Sequence, residues 1–260
     1  MTRKIFPKFQ KHHLRILAEL VKSEFKLRYQ NSFLGYFWTL IKPLLLFGVI
    51  YLVFSVFMQS PIPNYPVYLL LGIILWTFFS EATLIGMNSL LAKRDLITKI
   101  YFPRSIIIFA STLSSLITLL LNLVIFLVFM LVSGLPLHAE AFFFIIYIIE
   151  LYMVATGITF LLASLYLHFR DLQHIWEILL QIGFWLTPII YTVSIVPFKY
   201  HRYIFLNPLA RIIEYSRDIF INHHIPDLSL NLVLLAMSVV IFVFGYTIFK
   251  SQAAKVAEKL

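Results

Sequence analysis

Few residues here are placed to do chemistry. Two carboxylates, Glu81 and Glu150, lie inside long apolar runs. An ionisable group in such a run is costly and becomes a functional candidate by default. Glu81 suits a pathway-lining role and a structural role equally. For Glu150 the structural role is favoured, as a group hydrogen-bonded to a neighbouring helix. Lys42 stands just inside the first run, where it can snorkel to the interface, meet an anionic headgroup or simply anchor the helix. Aromatic residues make up 17% of the chain. Tyr36, Phe37 and Trp38 cluster at one place, Phe184, Trp185 and Tyr191 at another. Most membrane aromatics form interfacial belts and lipid-facing bulk. Some can face a conduit, where ring faces hold the apolar faces of sugar rings and let them slide.

Catalytic spacings are missing. No GxxxxGK[ST] occurs, and none of the 8 glycines precedes a lysine, so this chain builds no phosphate cradle. HExxH and GxSxG are absent as well. His12–His13 and His223–His224 are adjacent pairs; neighbours on a helix do not share a face, so no metal site is expected. With 0 cysteines, disulfides, thiolate ligands and cysteine nucleophiles are excluded.

The elements that must position these residues follow from hydropathy. Hydrophobic residues are 61% and charged residues 13%, against about half and a quarter in a soluble domain. That much apolar surface needs the bilayer as solvent. Six apolar segments, 36–58, 66–90, 105–132, 141–166, 175–196 and 230–249, each have about the 20 residues that cross a hydrocarbon core. The expected architecture is therefore all-α and integral to the membrane. It has a cytoplasmic segment over 1–35, a transmembrane domain over 36–249 and a cytoplasmic tail over 250–260. The first run is too long for a signal h-region and lacks a small-residue cleavage site, so it reads as a retained span.

Residues 11–30 place Leu14, Leu17, Ala18, Val21 and Phe25 at helical spacing, opposite Lys11, Arg15, Glu19, Lys22 and Lys26. This is an amphipathic helix suited to the cytoplasmic interface; a soluble docking arm is the alternative. Net charge is +9, and its distribution matters more than its size. Lysine and arginine fill the head, the loop after span two (Lys93, Arg94, Lys99, Arg104), Arg170 and the tail. They are absent after spans one and three, so both termini are expected in the cytoplasm. The loop at 197–229 breaks the pattern. In it Leu209, Ile212, Ile213 and Phe220 share a helical face, with Arg211, Glu214, Arg217 and Asp218 elsewhere. The spacing predicts local ion pairs on a short helix, lying on the outer surface or re-entering it partway. Pro43 and Pro188 must each break a backbone hydrogen bond within a span, which suits bent, pathway-lining helices and plain structural kinks alike.

Several blocks carry a family resemblance: LRYQNSFLGYFWTLIKPLL at 27–45, KRDLITKIYFPRS at 93–105, HFRDL at 168–172, FWLTPIIY at 184–191 and NPL at 207–209. In this order they resemble the polysaccharide-export permeases of the ABC-2 type, which move O-antigen or teichoic acid. The resemblance implies a homodimer joined to two copies of a separate ATPase subunit. That subunit would use ATP and magnesium, while this chain carries no cofactor. It implies a channel between protomers for a glycan on an undecaprenyl-pyrophosphate carrier, in the bacterial inner membrane and with no nucleic-acid partner. Candidate glycan contacts are Tyr36, Phe37, Trp38, Phe184, Trp185 and Tyr191. A coupling helix between spans two and three would dock the ATPase through Arg94, Asp95, Lys99 and Arg104, with Ile97, Ile100, Tyr101 and Phe102 filling a groove. That loop also serves as a positive-inside signal. External re-entrant gate helices would involve Asn207, Pro208, Arg211, Glu214 and Arg217. Teichoic acid export, ABC-2 drug export, a membrane enzyme on lipid-linked sugars and a channel or passive anchor are the alternatives.

Overall fold

The computed structural model describes residues 5–29, 35–59, 61–100 and 102–259, with side chains for all of these except 5–12, 29, 36 and 253–259. The described residues form helices and no strand. Helix α1 spans Ile5–Tyr29, α2 Trp38–Tyr51, α3 Tyr65–Ala92, α4 Arg94–Lys99 and α5 Ser105–Val132. After these come α6 at Phe144–Tyr166, α7 at Leu172–Leu186, α8 at Phe198–Ile204, α9 at Pro208–Ile221 and α10 at Leu228–Lys259.

Among the described residues, 5 helical segments are long and apolar enough to cross a membrane: Trp38–Phe57, Tyr65–Ala92, Ser105–Val132, Ala139–Tyr166 and Leu228–Gln252. The protein is thus multi-pass. The segment expected as a fifth of six spans, 175–196, is different. Its helix, α7, has 15 residues and stops at Leu186, too few to cross alone. The cause is local: proline disfavours the helical region for the residue before it, and Thr187, ahead of Pro188, is extended with ψ 136°. Pro188 therefore ends a helix. Pro43 instead lies buried inside α2.

Helix α3 is the centre. In its most apolar stretch 72% of residues are buried, against 11% for the segment Trp38–Phe57 that begins with α2. Around α3 pack α5, α6, α7 and α9, and α10 lies on α6. Small hydroxyl residues on α5, Ser111, Thr112, Ser114 and Ser115, are buried and let the helix backbones approach closely, as is common inside membranes.

Helix α1 is tied to this bundle at its basic end. Leu20 is buried in a cluster with Leu90, Phe102, Ile107 and Phe160, and Ile97 of α4 packs on the same cluster. Arg28 pairs with Glu81 at 3.6 Å and donates to Ser115 Oγ at 3.2 Å. Glu24 lies 3.8 Å from Lys93; burial pushes its carboxyl up, and Lys93 and Arg28 pull it partway back. The expected apolar face, Leu14 to Phe25, borders an open groove beside Leu113, Leu116 and Ile117 of α5.

The opposite end of the bundle depends on Arg217. The sequence puts this residue on the polar side of α9, but its side chain is only 2% exposed. Its guanidinium donates to the carbonyls of Pro188 at 2.5 Å, Ile189 at 2.7 Å and Tyr68 at 3.2 Å. It pairs with Glu214 at 2.7 Å and lies 3.4 Å from the centroid of the Tyr68 ring. Tyr65 and Tyr68 hydroxyls take the next two carbonyls, Ile190 at 3.2 Å and Tyr191 at 2.9 Å. The carbonyls freed by the break are satisfied in turn, as low-dielectric surroundings require. Gly72 makes the room: a Cβ there would sit 2.6 Å from an Arg217 nitrogen.

Removing the guanidinium leaves several buried groups unpaired, a defect of roughly 3–5 kcal/mol. Arg217→Met is expected to lower the thermal midpoint of the detergent-purified protein strongly. Arg217→Lys should rescue little of the loss, because an ammonium cannot span this fork of acceptors. A wild-type melting curve for Arg217→Met would contradict the clamp.

Candidate functional site: a groove between α2 and α7

The short α7 and the barely buried α2 do not pack fully on each other. Between them runs a groove of about 780 Å³, walled by Leu46 and Val49 of α2, by Val53 and Phe54 in the helical stretch Leu52–Phe57 that continues it, and by Leu180, Gln181, Phe184 and Trp185 of α7. Its floor is α3, through Trp76, Ser80 and Leu84. Trp76 meets Phe184 edge-on at 6.1 Å, and Phe184 meets Trp185 at 5.8 Å. The Ser80 hydroxyl has no hydrogen-bond partner among the described residues. Toward the basic end the groove meets a second cavity of about 550 Å³ bordered by Glu24, Arg28, Lys93 and Gln173; Leu84 and Glu177 line both.

A polar ladder climbs α7 beside this path. Gln173, Glu177 and Gln181 recur every four residues, so they share one face. The Tyr166 hydroxyl donates to Gln173 Oε1 at 3.2 Å, and Gln173 Nε2 donates to Glu177 Oε1 at 3.0 Å. His174 lies 3.8 Å from the other Glu177 oxygen. Amides, a carboxylate and a hydroxyl beside exposed ring faces suit a polyhydroxylated ligand with apolar ring faces, which stacking and hydrogen bonds hold together.

The expected site residues separate. Phe184 and Trp185 line the groove, and Trp185 is 61% exposed. Phe37 and Trp38 are exposed at the start of α2 and do not line it. The Tyr36 side chain lies outside the described residues. Tyr191 turns back, donating to the Leu186 carbonyl at 3.0 Å, and so closes the end of α7 rather than lining the groove. Lys42 is exposed on α2. Glu81 is bridged to α1 through Arg28. Glu150 is buried at 1% exposure, and its Oε2 has no hydrogen-bond partner among the described residues.

In the loop toward α5, Arg94, Asp95, Lys99 and Ile100 are exposed and Arg104 is half-buried. Phe102 is buried and Ile97 packs inward with it. These two hold the loop to its own bundle; Tyr101 lies outside the described residues. Asp95 in the first turn and Lys99 in the last oppose the dipole of α4.

At the other end, Asn207 caps α9 by accepting from Leu209 N at 3.0 Å and donates to Thr187 Oγ1 at 3.1 Å. Pro208 follows in the first turn, where its missing N–H is harmless. Arg211 binds the Phe205 carbonyl at 2.6 Å and Tyr215, leaving Glu214 to Arg217. Helix α9 is sunk into the bundle, with Ile212, Ile213, Tyr215 and Phe220 buried.

Sequence reasoning missed Trp76, Ser80, Glu177 and Gln181. The four-residue spacing on α7 was a usable signal; nothing marked Trp76 or Ser80 within an apolar run. The seat of the groove floor is Gly183, where a Cβ would stand 2.9 Å from the Trp76 ring. Gly183→Leu should destabilise by about 1–3 kcal/mol through overpacking, and Gly183→Ala by less. Equal thermal midpoints for both variants and wild type would show that α7 does not rest on Trp76.

Residues 16–221 match the ABC-2 type transporter family. The O-antigen export system permease protein RfbA of Myxococcus xanthus is 34% identical over 252 residues, covering 94% of this chain and 95% of that protein. The protein of the same name from Klebsiella pneumoniae is 29% identical over 246 residues, 94% and 95% of the two chains. The polysialic acid transport protein KpsM of Escherichia coli is 24% identical over 238 residues, 88% and 90% of the two chains. With the family match spanning most of its length and its spans arranged around a central α3, the chain belongs to the ABC-2 type transporters.

Proposed function

We propose that this chain is the transmembrane permease subunit of an ATP-driven exporter of lipid-linked polysaccharide, O-antigen in the first instance. The open, aromatic and amide-lined groove between α2 and α7 carries the proposal; the O-antigen permeases among its relatives supply the substrate class. Two copies facing each other across α2 and α7 convert two half-grooves into one conduit. The basic end, rich in lysine and arginine, faces the cytoplasm with both termini, and the membrane is the bacterial inner membrane. A glycan on an undecaprenyl-pyrophosphate carrier passes outward, its ring faces sliding over Phe184, Trp185 and Trp76 while Gln181 and Ser80 exchange hydrogen bonds with its hydroxyls.

Force comes from outside the chain. Two copies of an ABC ATPase subunit hold ATP and magnesium and dock on the exposed face of α4, through Arg94, Asp95 and Lys99. A push on α4 reaches α1, α3 and α5 through the cluster around Leu20, Ile97 and Phe102. At the outer end α8 and α9 form the gate, seated by Arg217.

Co-expressed with the matching ATPase subunit, the chain should co-purify with it in mild detergent. It should also restore surface polysaccharide to a permease-deficient strain. Phe184→Ala with Trp185→Ala should cut export about tenfold, the scale of one or two lost stacking contacts, and leave recovery of the complex unchanged. A chain that purifies reproducibly alone, or full export by the double variant, would contradict the assignment.

A further inference from the structure

The charge of the groove bears on which polysaccharide passes. Among the described residues that line it, Glu177 is the sole ionisable group, with no lysine, arginine or histidine beside it. The cations at the basic mouth face carboxylates. Arg28 pairs with Glu81, Lys93 with Glu24, and Lys42 lies close enough to Glu81 to attract it. His174 touches Glu177, but its side chain is 77% exposed and borders neither cavity. A polymer carrying a negative charge in every repeat would meet a half-exposed carboxylate, with no cation among the described groove residues to offset it. A polymer of neutral sugars would meet the same carboxylate as a strong hydrogen-bond acceptor for its hydroxyls. Like-charge opposition of this sort is how sites reject a wrong ligand.

We propose that the α2–α7 groove selects glycans without net negative charge and that Glu177 sets this selection. The proposal rests on the assignment of the groove as the conduit. It favours a neutral O-antigen type of chain over a phosphodiester-linked polymer of the teichoic acid type. In the dimer two Glu177 carboxylates face one conduit, which doubles the effect on each passing repeat.

The test uses the full chain with its ATPase subunit in cells lacking their own exporter. Two polymers are supplied on the same lipid carrier, one neutral and one with a phosphodiester in each repeat. Wild type should export the neutral polymer about tenfold better or more. Glu177→Lys should shrink or invert that ratio. Gln181→Lys, one turn further along α7, should do the same and serves if Glu177→Lys does not assemble. An unchanged ratio in an assembled lysine variant, or equal export of both polymers by wild type, would overturn the proposal. The conduit is tested separately. With 0 native cysteines, a bulky maleimide on Gln181→Cys labels one position. Blocked neutral export is the expected result; export unaffected by complete labelling would remove the conduit, and charge selection with it.

Discussion

The fold turns on a broken helix in surroundings that do not forgive breaks. Thr187 and Pro188 end α7 after 15 residues, and the chain must still dispose of a run of carbonyls away from bulk water. One buried arginine and two tyrosine hydroxyls do this, through Arg217, Tyr65 and Tyr68. The guanidinium is itself matched by Glu214 and by the Tyr68 ring, so the cation is neither unpaired nor unsolvated. Three elements distant in sequence, α3, the 187–191 segment and α9, are thereby fixed to one another. A planar five-donor fork suits this task in a way that a single ammonium does not.

The groove is a consequence of that break. Because α7 is short and held at its end, it leans on α3 through Gly183 and Trp76 and leaves α2 largely uncovered. The outer faces of α2, its continuation over Leu52–Phe57, and α7 then expose Leu45, Val49, Val56, Ile178, Ile182 and Trp185. Lipid can cover such a surface, and so can a second copy; in the proposed dimer the second copy would convert a half-groove with polar residues into an enclosed path. At the other end, α1 is locked to α3, α4 and α5 by ion pairs and a shared apolar cluster. That gives the α4 loop a rigid connection to the groove floor, since α3 contributes both Glu81 and Trp76.

Much of this was legible in the sequence, for reasons of scale. Long apolar runs declare spans because twenty residues of hydrocarbon-compatible chain have few other uses. Basic loops and the amphipathic α1 were readable in the same way. What failed were features that depend on a partner in space. Arg217 looked like a surface charge because the spacing of α9 says nothing about carbonyls on another segment. The 175–196 run looked like a span because hydropathy averages over the Thr187–Pro188 step. Phe102 looked available for docking because sequence does not show Leu20 and Leu90 waiting beside it. The ladder of Gln173, Glu177 and Gln181 was visible as a period, but polar residues at helical spacing are common on faces with no ligand.

The central claim is that the exposed faces of α2 and α7 meet a second copy and enclose the conduit there. Inter-copy disulfide formation tests it most directly, on a background free of native cysteine. Two differently tagged copies would be co-expressed, one carrying Val49→Cys on α2 and the other Ile182→Cys on α7, and oxidised in the membrane. A control pair would carry Val240→Cys on the equally exposed face of α10. The account predicts a cross-linked species containing both tags for the α2–α7 pair and none for the α10 pair. Cross-linking through α10 with none between α2 and α7 would place the dimer elsewhere and leave the groove facing lipid.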